Sequence, residues 1–454
     1  RSFSAGRGGP ARCPEAAVLP VPVPGPAPAA PMKGHEAKRK PGAGQIAAAS
    51  VNLTKNLIGA GIFTLPSALR AGSVVPGLCV MLTVALVQGS TFILIAFLCQ
   101  KLHVTTYRGA FCAAFGKSTG NLVDGCILVN AFFGCVAYYI LVADFLQKAL
   151  LGLFGMENTS RALLILVATL AATLPLSHAR NLAPLRYTSM LGLAIIAYVI
   201  AYVLCDFLGN LDTASENLRE VAFRPSLGMF STLALCTGAF QAHYNAPRLF
   251  IELGCDLRAH ACTVVCSFGT AFVIYSTFAV AGLGLFGKDV LGNVLKNYPA
   301  EGNKAVLAAW FGMAFAILCT FPLVFTTGRE SLIGMVPALQ RAGKASPLKA
   351  HVAITSSMVA AIALVACVVE DVSLITGMLG ATVGACLCWI FPASVYLKTS
   401  AAAERGPADE PLLPKRGAAA QVPRNAALAC YAKCMILVGL LSMGVGVSKT
   451  LGVI

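Results

Sequence analysis

The sequence predicts an all-α integral membrane protein of about 11 transmembrane helices, built as a five-plus-five inverted repeat with broken helices 1 and 6. Three observations carry that prediction. The chain of 454 residues is 57% hydrophobic and only 12% charged, with a mean hydropathy of +0.76, whereas soluble domains carry about 25% charged residues. Apolar stretches long enough to cross a bilayer recur along nearly its whole length. The first and sixth of them place glycines at mid-span and a proline beyond.

In order, the spans read as 46–71, 74–100, 121–150, 161–178, 184–208, 228–253, 261–287, 304–327, 350–370, 373–398 and 431–451. The fourth is short, and the last carries Lys449 near its end. Residues 1–45, rich in Pro, Ala and Gly (PVPVPGPAPAAP), have no apolar face to bury and read as a disordered cytosolic tail. Residues 46–398 make the expected ten-helix core, 399–428 a polar cytosolic linker around PADEPLLPKR, and 429–454 the eleventh helix. No Met opens the chain, so a targeting signal ahead of Arg1 would be invisible.

A net charge of +15 raises nucleic acid as a partner, but the distribution of the charge answers it. With the amino terminus in the cytosol, 24 of the 34 lysines and arginines fall on the inner side, nine on the outer, and Lys55 lies within the first span. That is the positive-inside bias of a multi-pass protein, and no nucleic acid is needed to explain it. The acidic loop 206–227 and the tripeptide Asn158-Thr159-Ser160 both fall outside in this orientation, and 11 spans put the carboxyl terminus outside too. The 17 cysteines are scattered through the spans and the inner side, and read as small packing residues rather than a disulfide or zinc framework.

The first span contains NLTKNLIGAGIFTLPSA, with Gly59-Ala60-Gly61 at mid-depth and Pro66 one turn on. Each glycine costs about 1 kcal/mol relative to Ala in a helix, and freed backbone groups in hydrocarbon must find partners. The sixth span repeats the pattern, with Thr237-Gly238 at its centre and Pro247 beyond. Interruptions five helices apart are what an inverted repeat produces, and broken helices at membrane depth line solute sites. The free amides of Gly61, Ile62, Phe63 and Thr64, at the amino end of a half-helix, suit a carboxylate. Bare carbonyls around Leu57–Gly59 and Thr237, Gly238 and Ala239 suit an ammonium or a cation. Together they fit an α-amino acid zwitterion. Gly59, Ala60, Gly61, Ile62, Phe63, Thr64, Thr237, Gly238 and Ala239 are therefore the candidate substrate site.

Three stretches carry a resemblance: NLTKNLIGAGIFTLPSALRAG in span one, AFQAHYNAPRLFIEL in span six, and TFPLVFTTGRESL at the end of span eight followed by GATVGACLCWIFPASVYLK in span ten. TTYRGAFCAAFG after span two also fits. Over roughly 46–398 the chain resembles the amino acid/auxin permease family, which has the LeuT-type fold of the amino acid-polyamine-organocation superfamily. The resemblance implies secondary transport of amino acids driven by a proton or sodium gradient, with no other cofactor, by a protein functional as a monomer. In sodium-coupled members, an Asn one turn before the glycines and a Thr in span eight bind the ion; here these are Asn56 and Thr320. The bland alternative has Asn56 capping the broken helix and Thr320 bonding back to its own helix.

Two further residues are candidates for ion coupling on their chemistry. Lys55 would cost about 3 kcal/mol near the bilayer centre, unless it snorkels to the cytosolic surface. His243, the one histidine placed well inside a predicted span, could carry a proton or tie the broken helix to a neighbour. Asp144 and Lys148, four apart in span three, are spaced to pair. Glu252, Arg329 and Glu330 read as gate or anchor charges, and Tyr138 or Tyr139 as cavity lining. Against the transporter stand an amino-acid sensor signalling through the cytosolic tail and a membrane-embedded enzyme. The enzyme lacks a cluster of His, Asp or Cys near one surface. The sequence leaves open whether the membrane is vacuolar, lysosomal or plasma.

Overall fold

The computed structural model describes residues 41–179, 185–300, 303–405 and 422–450. The expected tail, up to residue 40, and residues 406–421 of the expected linker lie outside them.

The first span divides where its glycines stand. Helix α1 (Ala43–Leu57) stops before Gly59, a tight turn covers Ala60–Thr64, and α2 (Leu65–Gly72) follows, with a bend of 53° between the two halves. Pro66 lies in the first turn of α2, where an amide hydrogen would have no helical partner and its fixed φ favours starting afresh. Helix α3 (Val74–Leu102) is the second span, α4 (Tyr107–Phe115) a short connector, and α5 (Gly120–Phe154) the third. In the fourth, α6 (Arg161–Ala168) passes through a widened turn at Thr169–Thr173 into α7 (Leu174–His178). Helix α8 (Leu185–Gly209) is the fifth, and α9 (Leu211–Glu220) follows it, outside the predicted spans.

The sixth span repeats the architecture of the first. Helix α10 (Gly228–Ala239) ends, a turn at His243–Asn245 intervenes, and α11 (Ala246–Glu252) starts with Pro247 in its first turn. Helix α12 (Leu257–Phe286) and α13 (Lys304–Met335) are the seventh and eighth, then α14 (Pro337–Ala345) leads into α15 (Pro347–Val368), the ninth. In the tenth, α16 (Val372–Leu379) and α17 (Phe391–Arg405) are joined through widened turns at Gly380–Gly384 and Cys386–Ile390. The eleventh comprises α18 (Ala426–Leu441), a widened turn and α19 (Val447–Thr450).

Among the described residues, nine helices are long and apolar enough to cross a membrane, and the bent pair α1–α2 makes a tenth. The sixth predicted stretch falls outside that set because its break leaves pieces of 12 and seven residues. Boundaries shift modestly. Helix begins at Ala43, inside the expected tail, continues to Arg405 and resumes at Ala426, both inside the expected linker. Among the described residues, the 16 cysteines form no disulfide.

Packing brings the broken spans to the middle of the bundle. Helix α10 lies against α2, α3 and the Gly380 turn, while α12 supports α1, α2 and α3. Small residues permit the close approach of α2 to α10. A β-carbon on Gly72 would stand 2.3 Å from Thr232 Oγ1, and one on Gly228 would stand 2.0 Å from the Ala71 carbonyl. Thr232 also donates to the Ala68 carbonyl at 2.7 Å. On the other flank α5 and α13 pair along their length and hold Trp310, Phe321 and Phe325 out of solvent.

Candidate functional site: the meeting of two helix breaks

The two interruptions touch. A β-carbon on Gly61 would lie 3.6 Å from Ala239 Cα and 3.7 Å from its Cβ. The Gly-Ala-Gly segment of span one therefore faces the carboxyl end of α10. Around that contact the second halves are set by local chemistry. The Ile62 amide donates to the Gly59 carbonyl at 3.2 Å, Thr64 Oγ1 to Gly61 O at 2.8 Å, and Ser67 Oγ to Thr64 O at 2.7 Å. Ile62, Phe63 and Thr64 are buried. The Phe63 ring meets Phe145 and Phe278 edge-on at 5.7 and 6.1 Å, so it is committed to packing and the main chain of this segment is what it offers a solute. Of Ala60 only the backbone is described.

On the α10 side, Thr237 turns its hydroxyl back to Leu233 O at 2.7 Å, and Gly238 lies against span ten. That approach is tight from both directions. A β-carbon on Gly238 would be 3.3 Å from Thr376 O, and one on Gly380 would be 1.8 Å from Ala234 O. Gly380 is what lets spans six and ten meet this closely, and Gly238 eases the approach from the other side.

Most of the carbonyls expected to be bare are taken. The Tyr275 hydroxyl, fully buried on α12, donates to Leu57 O at the end of α1 and to Ala239 O, 3.1 Å away, at the end of α10. Gln88 on α3, also fully buried, donates Nε2 to Thr237 O at 3.1 Å, leaving its Oε1 without a partner. Main-chain amides of Phe240 and Gln241 take Cys236 O at 3.0 Å and Gly238 O at 3.3 Å. A helix end in a dry interior needs its last carbonyls satisfied, and side chains from neighbouring spans do that here. Gln241, within the break, buries an unpartnered Nε2. Tyr275, Gln88 and Gln241 went unmarked in the sequence, where a single Tyr or Gln in an apolar helix reads as ordinary packing.

The coupling candidates are dispersed. Asn56 is exposed on the last turn of α1 and Lys55 beside it is half-buried. Thr320 donates to Ala316 O at 2.8 Å, the helix-internal bond named as its bland alternative. His243 is fully buried at the start of the second half of span six. Its Nε2 lies 3.1 Å from Gln88 O and 3.0 Å from Thr91 Oγ1. A carbonyl can only accept, so Nε2 carries the hydrogen and Nδ1, buried and unpartnered, is the free acceptor. The residue ties the broken span to α3. His260, at the start of α12 and just ahead of the predicted seventh span, is equally buried and stacks on Phe92 at 5.6 Å.

Asp144 does not pair with Lys148. It accepts from Arg161 Nη1 at 2.8 Å and from Lys296 Nζ and Asn293 Nδ2, each at 3.3 Å, while Lys148 donates to Tyr298 O at 3.3 Å. Glu252 pairs with Arg248 on the surface at 2.9 Å, and its carbonyl accepts from Gln45 at 3.1 Å. Arg329 donates to Ser177 O and Thr355 Oγ1 at 3.2 and 3.0 Å. Tyr139 is fully buried and Tyr138 half-buried; Tyr139 accepts from Thr169 in span four at 2.9 Å.

A profile described as transmembrane amino acid transporter protein matches residues 42–406, most of the chain and both breaks. The chain belongs to this family. Among its relatives, amino acid transporter AVT6B of Arabidopsis thaliana is 26% identical over 406 residues, covering 81% of the chain and 87% of the relative. Vacuolar amino acid transporter 2 of Saccharomyces cerevisiae is 26% identical over 365 residues, covering 76% and 74%. The human sodium-coupled neutral amino acid transporter 7 is 24% identical over 352 residues, covering 74% and 75%. Among solved structures, the inward-facing conformation of Mhp1 superposes with a TM-score of 0.56 at 14% identity, over 90% of each chain. An outward-open sodium-coupled sialic acid symporter gives 0.52 at 13% identity, again over 90% of each. These superpositions establish the LeuT-type fold; the family match and the apolar helices make the chain a multi-pass membrane protein.

Proposed function

We propose that this chain is a secondary active carrier that moves amino acids across a membrane by alternating access, driven by a proton or sodium gradient. The observation that carries the reading is the contact of the two breaks, Gly61 against Ala239, at the centre of the bundle. There the amino end of one half-helix offers partial positive charge and the Gly61 amide to a carboxylate, the Ile62 amide, expected to be free, being held by the Gly59 carbonyl. The carboxyl ends of α1 and α10 offer carbonyls to an ammonium, once their present donors yield. Gly59, Ala60, Gly61, Ile62, Phe63 and Thr64 with Thr237, Gly238 and Ala239 are the proposed substrate site, held mainly through main chain.

For sodium, Asn56 and Thr320 supply neutral oxygens; for a proton, the bare Nδ1 of His243 is the acceptor, with Lys55 as a fixed charge beside the break. Family and relatives bear on transport and lend the sensor reading no support. The relatives' names include vacuolar and sodium-coupled carriers, and solved neighbours include inward-facing and outward-open forms. We place the amino terminus in the cytosol, as the charge bias asks.

The test is uptake of a panel of radiolabelled amino acids into proteoliposomes carrying the purified chain, under an imposed sodium gradient or an imposed pH gradient. Uptake of at least one amino acid above empty vesicles, collapsing when one of the gradients is dissipated, is expected. No uptake under either gradient would refute the proposal. Under the sodium gradient, Asn56→Ala and Thr320→Ala should each raise the sodium requirement; under the pH gradient, His243→Gln should flatten the dependence on external pH.

A further inference from the structure

The geometry points to Tyr275 as a positioning residue that lets the carrier return across the membrane without substrate. This rests on the transport reading above. Its hydroxyl proton is shared between Leu57 O and Ala239 O, the carboxyl ends of the first halves of both broken spans. Gln88 Nε2 holds the neighbouring Thr237 O at 3.1 Å. These are the carbonyls to which an ammonium or a cation would bind. The two side-chain donors and a bound cation are therefore alternatives. Either the protein's own N–H and O–H groups satisfy the helix ends, or a ligand displaces them.

That competition has a kinetic consequence. Net transport requires a substrate-free carrier to reorient, while exchange of substrate for substrate uses the loaded carrier alone. A substrate-free carrier must bury the helix-end carbonyls during reorientation, and an unpaired buried carbonyl is strongly disfavoured. Tyr275 supplies the missing donor only in that half of the cycle. Loss of the hydroxyl raises the energy of the substrate-free form selectively and leaves the loaded form as it was. The aromatic ring is separately anchored, edge-on to Phe240 at 5.0 Å, so Tyr275→Phe removes the donor and keeps the packing.

The experiment compares wild type, Tyr275→Phe and Gln88→Leu in proteoliposomes, with a radiolabelled mixture of the common amino acids outside. Vesicles are either free of internal amino acid, which reads net uptake, or preloaded with the unlabelled mixture, which reads exchange. For Tyr275→Phe, net uptake falls about tenfold or more while exchange stays within about twofold of wild type. Gln88→Leu shows the same split, and decides the matter if Tyr275→Phe does not fold. Net uptake and exchange falling in parallel would overturn the inference, because the hydroxyl would then serve the loaded carrier or the fold. Both rates unchanged would overturn it too, as would failure of both variants to fold. A wild-type chain that moves no amino acid in either mode would instead refute the transport reading itself.

Discussion

At Gly61 the two halves of the repeat approach so closely that a β-carbon there would already stand at van der Waals distance from Ala239, 3.6 Å from its Cα. Gly61→Leu should abolish uptake while the protein still inserts and runs monodisperse, because the break is filled and the membrane-spanning surface is untouched. Gly59→Ala should cost less, since its added carbon would meet nothing closer than Leu57 O at 4.0 Å. Labelled amino acid uptake, with size-exclusion profiles as the control, checks both. These glycines, like Pro66 and Pro247, were readable in the sequence because a helix break is written in local residue types. Tyr275 and Gln88 were not. Their role is defined by which distant carbonyl they reach, and nothing adjacent in the chain encodes that.

Among the elements, the breaks and the order of spans were legible because apolar length and Gly-Pro punctuation are one-dimensional signals. The ion pairs were not. The i,i+4 spacing of Asp144 and Lys148 describes an isolated helix, but Arg161 on α6 and Lys296 after α12 reach Asp144 first and leave Lys148 to a carbonyl. Asp144 and Arg161 are both nearly buried, with side-chain exposures of 2% and 12%. Removing one partner of such a pair strands the other charge. Asp144→Asn should therefore destabilise the fold by about 3–5 kcal/mol, whereas Lys148→Ala, losing one hydrogen bond to Tyr298 O, should cost about 1 kcal/mol. Thermal unfolding followed by fluorescence of Trp310 and Trp389 separates the two. Equal losses would mean that Lys148 belongs to the charge cluster after all.

At the scale of the whole molecule, the proposed alternating access would rock the first two spans of each half of the repeat, spans one, two, six and seven, against the remainder. Thr232 to Ala68 and the Gly72 and Gly228 approaches lie within the proposed rocking set and would persist through such a cycle. Asp144 sits on α5, outside that set, and its partners Lys296 and Asn293 lie in the segment that follows α12; if that segment travels with α12, as proposed, their bonds would break when the side assigned as outer opens. The Lys296 side chain is 37% exposed, and its bond to Asp144 is correspondingly screened. Lys296→Ala should release this strap and raise the outward-open population about two- to fivefold, the range set by loss of a partly exposed pair. A cysteine placed at Ala239, at the break, reports it. Its labelling from outside by a membrane-impermeant maleimide should accelerate by that factor over the same cysteine with Lys296 intact. Thr232→Val, which cuts a bond inside the rocking set, should leave the labelling rate unchanged. If Lys296→Ala leaves the rate as it was, and Thr232→Val raises it, the moving boundary runs between α2 and α10 instead, and the two broken spans do not travel as one body.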